Sequence, residues 1–399
     1  MPSLLILGFK RHKSKTFLTL PFFSVSMLRS IQRALLPHLQ ATKSPSTPTL
    51  VRLLHNPADP SSFTISYLVS SCGLSPAAAT YAARKIRLKS PENPDSVLQL
   101  FKDHSFSKTQ VANLISKHPR LLSADPEKTI KPKLDFFARI GYLDSDVAKL
   151  VSGDPNLLLT DLEKTLIPNF DSLKMAFGSA EAALAALKIS SRLLRYDIDK
   201  MVLPNLEILR NHGMPEPSII RLATLHPRVL MKEPDRLIEE LGQLKQMGLE
   251  PSSRTFVSAV HAFSGSTVPS WEKKIAVYKN LGWSEKETLS AFRKYPNFML
   301  QPENKTREMV EFYVKKLGWE PPLLLAKPRL LSLSLEKWVI PRCSVLGLLA
   351  SKGEVSRGLT PALLMINEEE FSRRFVVKYA GRIPEVLEAY HGNTGSCNL

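Results

Sequence analysis

Prolines recur in register along this chain, and few features restrict a fold more, because each removes a backbone donor and stops or bends a helix. The stretches KHPRLL, GDPNLLL, LHPRVL, KYPNFML and KPRLL place theirs at 119, 155, 227, 296 and 328. The first interval is 36 residues, and the second is twice that, with SSRLL and Ser191 at its midpoint. Between 227 and 296 the middle falls in VHAFSG, a degenerate copy around Ala262. A second proline follows thirteen residues after the first in TIKPKLDFF, TLIPNFDSL, MVLPNLEIL and KWVIPRCSVL, at Pro132, Pro168, Pro204 and Pro341. Gly141, Gly178, Gly213, Gly248, Gly282 and Gly318 keep the same step. Three markers in phase define about seven units between residues 105 and 350, and a period of this size belongs to a stacked repeat architecture.

Each unit reads as two helices. In SKTQVANLISKH, Ser107 is placed to cap a helix whose Val111, Leu114 and Ile115 share one face. Pro119 stops it, because the residue before a proline is pushed out of the α region. Leu121 and Leu122 then plug a short turn, Asp125 and Pro126 open a second helix as cap and first-turn proline, and Pro234 and Pro302 echo the device. Ile130, Leu134 and Phe137 form the buried stripe of that helix and Gly141 closes it, while Pro132 inside it should cause a bend. Such units bury their apolar faces only by stacking. The expected fold is therefore all-α, a curved solenoid of two-helix repeats. Residues 59–104 are expected to form an N-terminal helical cap region and 351–390 C-terminal capping helices, with Asn367 as N-cap and Phe371, Phe375 and Tyr379 as the sealing stripe. Residues 391–399 are expected to be a loose tail.

Charge narrows the partners. Lysine and arginine outnumber aspartate and glutamate by 54 to 37 in 399 residues, a net +17 that attracts polyanions. Residues 1–58 hold eight lysines and arginines and no acid, a composition that reads as a transit peptide for a mitochondrion or, alternatively, a chloroplast; the other reading is a disordered basic arm that stays on and binds nucleic acid. The apolar run TFLTLPFFSVSML has 13 residues, too few to cross a bilayer, so no membrane partner is expected. Cys72, Cys343 and Cys397 are far apart and odd in number, which indicates neither a disulfide framework nor a zinc site. No HExxH, CxxC, GxxxxGK[ST] or GxSxG motif accompanies His118 or His226, so no catalytic residue, metal or cofactor is expected and the chain is not read as an enzyme.

The recurring HPxLL and LIPxxxxL motifs, the segment SYLVSSCGLSPAAATYAARKI and the close KWVIPRCSVLGLLASKG...FVVKYAGRIPEVLEAY resemble the plant branch of the mitochondrial transcription termination factor (mTERF) family, over about 62 to 390. The resemblance implies a superhelix of helical repeats, residence in mitochondria or chloroplasts, and binding of organellar DNA or RNA on a concave face in transcription, its termination or RNA processing. Other organellar gene-expression factors are possible partners on the same ground, and a monomer is expected. Ser191 and the eroded unit at Ala262 depart from the pattern.

A solenoid that grips phosphates needs cations repeated at its own period. The position after the turn proline supplies Arg120, Arg192, Arg228 and Arg329; an alternative use there is to saturate carbonyls left over at a helix end. Further candidates are Lys133, Arg139, Arg195, Arg210, Arg221, Arg293, Lys294, Lys315, Lys316 and Arg342, each of which is equally at home on a solvated helix face. Tyr295, Trp283 and Trp319 are candidates for stacking on bases, although a tryptophan just after a helix-ending glycine more commonly makes an apolar cap contact. Two other functions compete: a pentatricopeptide-type RNA reader, which GLEPSSRTFVSAVHAF resembles, and a helical protein–protein scaffold.

Overall fold

A computed structural model describes residues 60–355 and 359–391; the basic segment 1–58 and the tail beyond His391 lie outside the described residues. Among those described there are helices and turns and no strand. The expected solenoid is present, and its core runs as one apolar cluster from Tyr67 to Leu364, with a smaller cluster from Val345 to Ala389 beneath the C-terminal cap.

Unit one shows how the sequence builds the repeat. The first helix, Lys108–Lys117, starts with a capping box in which Ser107 accepts from the Gln110 N–H and the Gln110 side chain accepts from the Ser107 N–H. Pro119–Ser123 then form a tight three-residue-per-turn segment, with Leu121 and Leu122 buried. Asp125 caps the second helix by accepting from the Lys128 N–H, and Asp161, Asp197 and Ser334 repeat that bond in later units. Gly141 ends the unit at φ +106, and a Cβ there would come 2.9 Å from Leu184 of unit three.

The internal prolines are accommodated by a widened turn rather than a gap. A proline ring clashes with the carbonyl four residues back. Just before each one the backbone bonds five residues back instead: Lys131, Ile167, Leu203 and Ile340 donate to the carbonyls of Pro126, Leu162, Ile198 and Leu335. Pro234–Gln246 and Val268–Asn280, second helices with no internal proline, each run as 13 unbroken α-helical residues. Wide turns at Phe312–Lys316 and Ser372–Val377 form without a proline, so the proline imposes the turn but is not required for it.

One bond recurs at every junction. The turn that follows a first helix has carbonyls with no partner in its own unit, and a donor from the preceding unit's second helix reaches them. Asn205 donates to Leu230 O and Lys232 O at 3.0 and 2.7 Å, and Asn169 to Leu194 O and Tyr196 O at 2.8 Å each. Lys133 reaches Leu158 O at 2.6 Å, Lys274 reaches Met299 O, and Lys305 reaches Ser332 O. At the degenerate junction the donor moves across: Lys232 of unit four reaches Ser264 O at 2.8 Å and is paired with Glu240.

The same bond extends the repeat beyond both expected limits. Asn93 donates to Leu122 O and Ala124 O, so Glu92–Asp103 behaves as the second helix of a preceding unit. Ser105 takes the glycine's place at φ 61, 36 residues before Gly141. At the other end Arg342 donates to Leu364 O and Ile366 O, and Pro361–Met365, PALLM, is a copy of the turn that spacing alone did not single out. Asn367 caps the following helix as expected, and Phe371, Phe375 and Tyr379 are buried.

Asn205 is fully buried, so Asn205→Ala leaves two carbonyls without a donor and should lower the stability of the array by about 2–3 kcal/mol. Asn169→Ala, at a half-buried copy, should cost less. Urea midpoints of the two variants, compared side by side, check the order.

Candidate nucleic-acid interface

Because Pro, Leu and Leu of each turn point into the core, the residue between them is forced outward. Arg120, Arg192, Arg228 and Arg329 are all exposed. Among the described residues Arg120, Arg228 and Arg329 make no side-chain hydrogen bond or ion pair, so they do not saturate the preceding helix end. Arg192 donates to Tyr196 Oη at 3.2 Å and lies over its ring.

Three successive units bring cations to one cleft of about 590 Å³. Lys149 comes from the first helix of unit two, Lys188, Arg192 and Arg195 from unit three, and Arg228 from the turn of unit four. Two acids face it. Asp154 is matched by Arg195 at 3.1 Å and accepts from Ser191, so the serine that replaces the proline holds the turn by a side-chain bond. Asp146 pairs with Lys149 at 3.1 Å. Lys149 and Lys188 were not singled out by period; for Lys188 the available signal was its place in the last turn of a first helix, where Lys117 and Lys294 also stand, while Lys149 sits mid-helix and carried none. A helix C-terminus favours such cations.

The remaining sequence candidates divide by what they touch. Lys133 is buried and bonded to Leu158 O, and burial pushes its amine below the usual lysine range. Arg342 is 1% exposed, packed between the rings of Trp338 and Phe371, and bonded to two carbonyls and to Glu368 at 2.9 Å. Both were selected for charge, and their geometry is that of junction donors. Arg139, Arg210, Lys315 and Lys316 lie toward the ends of second helices, away from the turns. Arg210 there pairs with Glu216 at 2.9 Å and Glu207 at 3.4 Å, which holds its pKa above the ordinary value, and Lys315 pairs with Glu311 at 3.4 Å. Arg293 donates to Met247 O at 3.0 Å, capping the second helix of unit four. Arg221, Lys294 and Lys316 are exposed.

The two tryptophan candidates pack against neighbouring tyrosines. Trp283 is 1% exposed and stacked on Tyr278 at 5.1 Å, and Trp319 is stacked on Tyr313 at 5.2 Å, which is the apolar cap contact. Tyr295 is half-buried. Among the described residues no group of acids, histidines and cysteines is placed to hold a metal, and no helix is long and apolar enough to cross a membrane.

His226 has a partner that spacing alone did not reveal. Its ring stacks on His261 with centroids 3.6 Å apart, joining units four and five. Burial, the second imidazole and Arg221 push His226 down to about 4, and burial lowers His261 as well.

A helical repeat array with a cation-lined cleft along its turns defines the class, and comparison with known proteins places the chain within it. Residues 97–372 match the mTERF family, and the chain belongs to that family. The match includes the stretch that resembles a pentatricopeptide repeat. Over 165 residues the chain is 24% identical to the chloroplastic transcription termination factor MTERF8 of Arabidopsis thaliana, a region covering 41% of this chain and 32% of that protein. The chain thus spans about a third of the length of this curated relative.

Two outcomes follow from the geometry. Arg342→Met should destabilise the C-terminal cap by about 3 kcal/mol or more, seen as early loss of protection of 361–391 in hydrogen exchange. The histidine pair gives a pH dependence with a definite sign. Unfolded histidines protonate near 6.5 while in the folded chain His226 stays neutral down to about 4 and His261 is also lowered, so stability should fall as pH drops from 6.5 towards 4. Urea midpoints of His261→Phe, which keeps the stack without the second charge, should fall less steeply over that window than those of the unaltered chain.

Proposed function

We propose that this protein binds organellar DNA or RNA along the turns of its repeat array and regulates organelle gene expression by occupying its site. The observation that carries this reading is the cleft where Lys149, Lys188, Arg192, Arg195 and Arg228 of three successive units converge. Cations fixed at the period of a scaffold match the even spacing of phosphates on a strand. The seven units between residues 105 and 350 alone, at about 10 Å each, reach roughly 70 Å, the length of about 20 base pairs. Membership of the mTERF family and the likeness to a chloroplastic transcription termination factor support a role in transcription, with termination as the leading step and RNA processing as the alternative. The acid-free, basic segment 1–58 supports import into an organelle, the mitochondrion by its arginine-bearing MLRSIQRALL and the chloroplast by the relative's name. The protein acts here as a monomer without catalysis, metal or cofactor.

Binding to a 20-base-pair duplex, followed by fluorescence polarisation against salt, should give a log–log slope of about −5 for six neutralised phosphates. Arg192→Ala with Arg228→Ala should reduce the slope by roughly 2, whereas Arg210→Ala, already paired with two glutamates, should leave it nearly unchanged. A flat salt dependence, or equal effects of all three arginines, would falsify the cleft as the contact surface. Crosslinking in intact organelles followed by sequencing of recovered DNA and RNA identifies the target.

A further inference from the structure

The turn of unit five departs from the others, and a cavity opens beside it. Shifted by 35 residues, HPRVLMKEP of unit four becomes HAFSGSTVP. With alanine in place of proline the first helix runs on to Ser264, and Ser264 and Gly265 stand where Val229 and Leu230 plug the turn before. The cavity, of about 380 Å³, lies between this altered turn and the second helix of unit four. Phe263 and Trp271 give it an apolar wall, and Trp271 is held edge-on to both Phe263 and Phe292 at 5.0 Å. Glu239, Glu240 and Glu272, with Arg236 among them, give it a rim in which acids predominate.

The rim is not neutralised from within. Glu240 is matched by Lys232 at 2.5 Å and Arg236 at 3.1 Å. Glu239 and Glu272 are exposed and, among the described residues, pair with no cation. Carboxylates on this rim repel phosphate, so the hollow is complementary to the opposite of what the basic cleft attracts. Its size, near the lower end of the roughly 300–1,000 Å³ usual for ligand sites, suits one or two side chains. An apolar group fits against Trp271 and Phe263, and a neighbouring ammonium or guanidinium lies within reach of the free carboxylates.

We propose that the junction of units four and five docks a basic segment of a partner protein, with one apolar side chain in the cavity and flanking lysines or arginines on Glu239 and Glu272. The site is separate from the cation-lined cleft, so a partner is held while the cleft is occupied.

The full chain is titrated with fluorescein-labelled 12-residue peptides that carry one leucine, phenylalanine or tryptophan between lysines, and with the same peptides bearing glutamate for lysine. Basic peptides should bind and acidic ones should not, and Glu239→Lys with Glu272→Lys should weaken binding at least tenfold. Both positions are exposed, so thermal melting should be unchanged. Ser266→Leu, which fills the cavity and leaves the rim intact, should also weaken binding, whereas Arg192→Glu with Arg228→Glu should not. Equal binding of acidic and basic peptides, or undiminished binding by either rim or cavity variant, overturns the proposal. Loss of peptide binding in the Arg192 and Arg228 variant overturns the separateness of the two sites.

Discussion

The array depends on how the backbone carbonyls of its turns are satisfied. Each turn breaks the helical ladder so that two apolar side chains can enter the core, and the break leaves carbonyls facing the neighbouring unit rather than water. Buried carbonyls without donors are costly, so a unit with this turn is stable only beside a second helix that carries a donor at the right place. Stacking is therefore imposed by hydrogen bonding as well as by apolar burial. The widened turn before each internal proline belongs to the same arrangement, since Lys133, Asn169, Asn205 and Arg342 all directly follow such a proline.

That regularity marks the boundary of what sequence could tell. The helices, caps and turns were legible because proline, glycine and the leucine pair act on the backbone within a few residues of themselves. The junction bond spans about 25 residues and is made by asparagine, lysine or arginine, residues alike only in being donors. Selecting for charge put Lys133 and Arg342 among ligand contacts and passed over Asn169 and Asn205, although all four occupy one position after a proline. The terminal units were hidden for a related reason: Ser105 adopts a glycine's conformation without being glycine, and PALLM keeps the leucines but loses the arginine.

The candidate interface is a by-product of the plug. A turn that buries its first, third and fourth residues leaves its second exposed whatever that residue is, so placing arginine there costs the fold little. The starts of the second helices are also rich in lysine, at 128, 164, 200 and 337, but each stands beside an acid, at Glu127, Glu163, Asp199 and Glu336. That row is close to neutral, whereas Arg120, Arg228 and Arg329 in the turns have no acid paired with them. In unit five Phe263 stands where the turns of units three and four carry arginine, at the same junction that holds the stacked histidines and the acidic hollow.

The junction bonds also have a direction. At the regular junctions the donor comes from the earlier unit and the acceptor from the later one, from Asn93 through to Arg342. A chain emerging from the ribosome amino end first presents each new turn to a donor that is already in place, and domains made in this order fold as they appear. Along the direction of synthesis, each regular turn therefore comes after the donor that completes it.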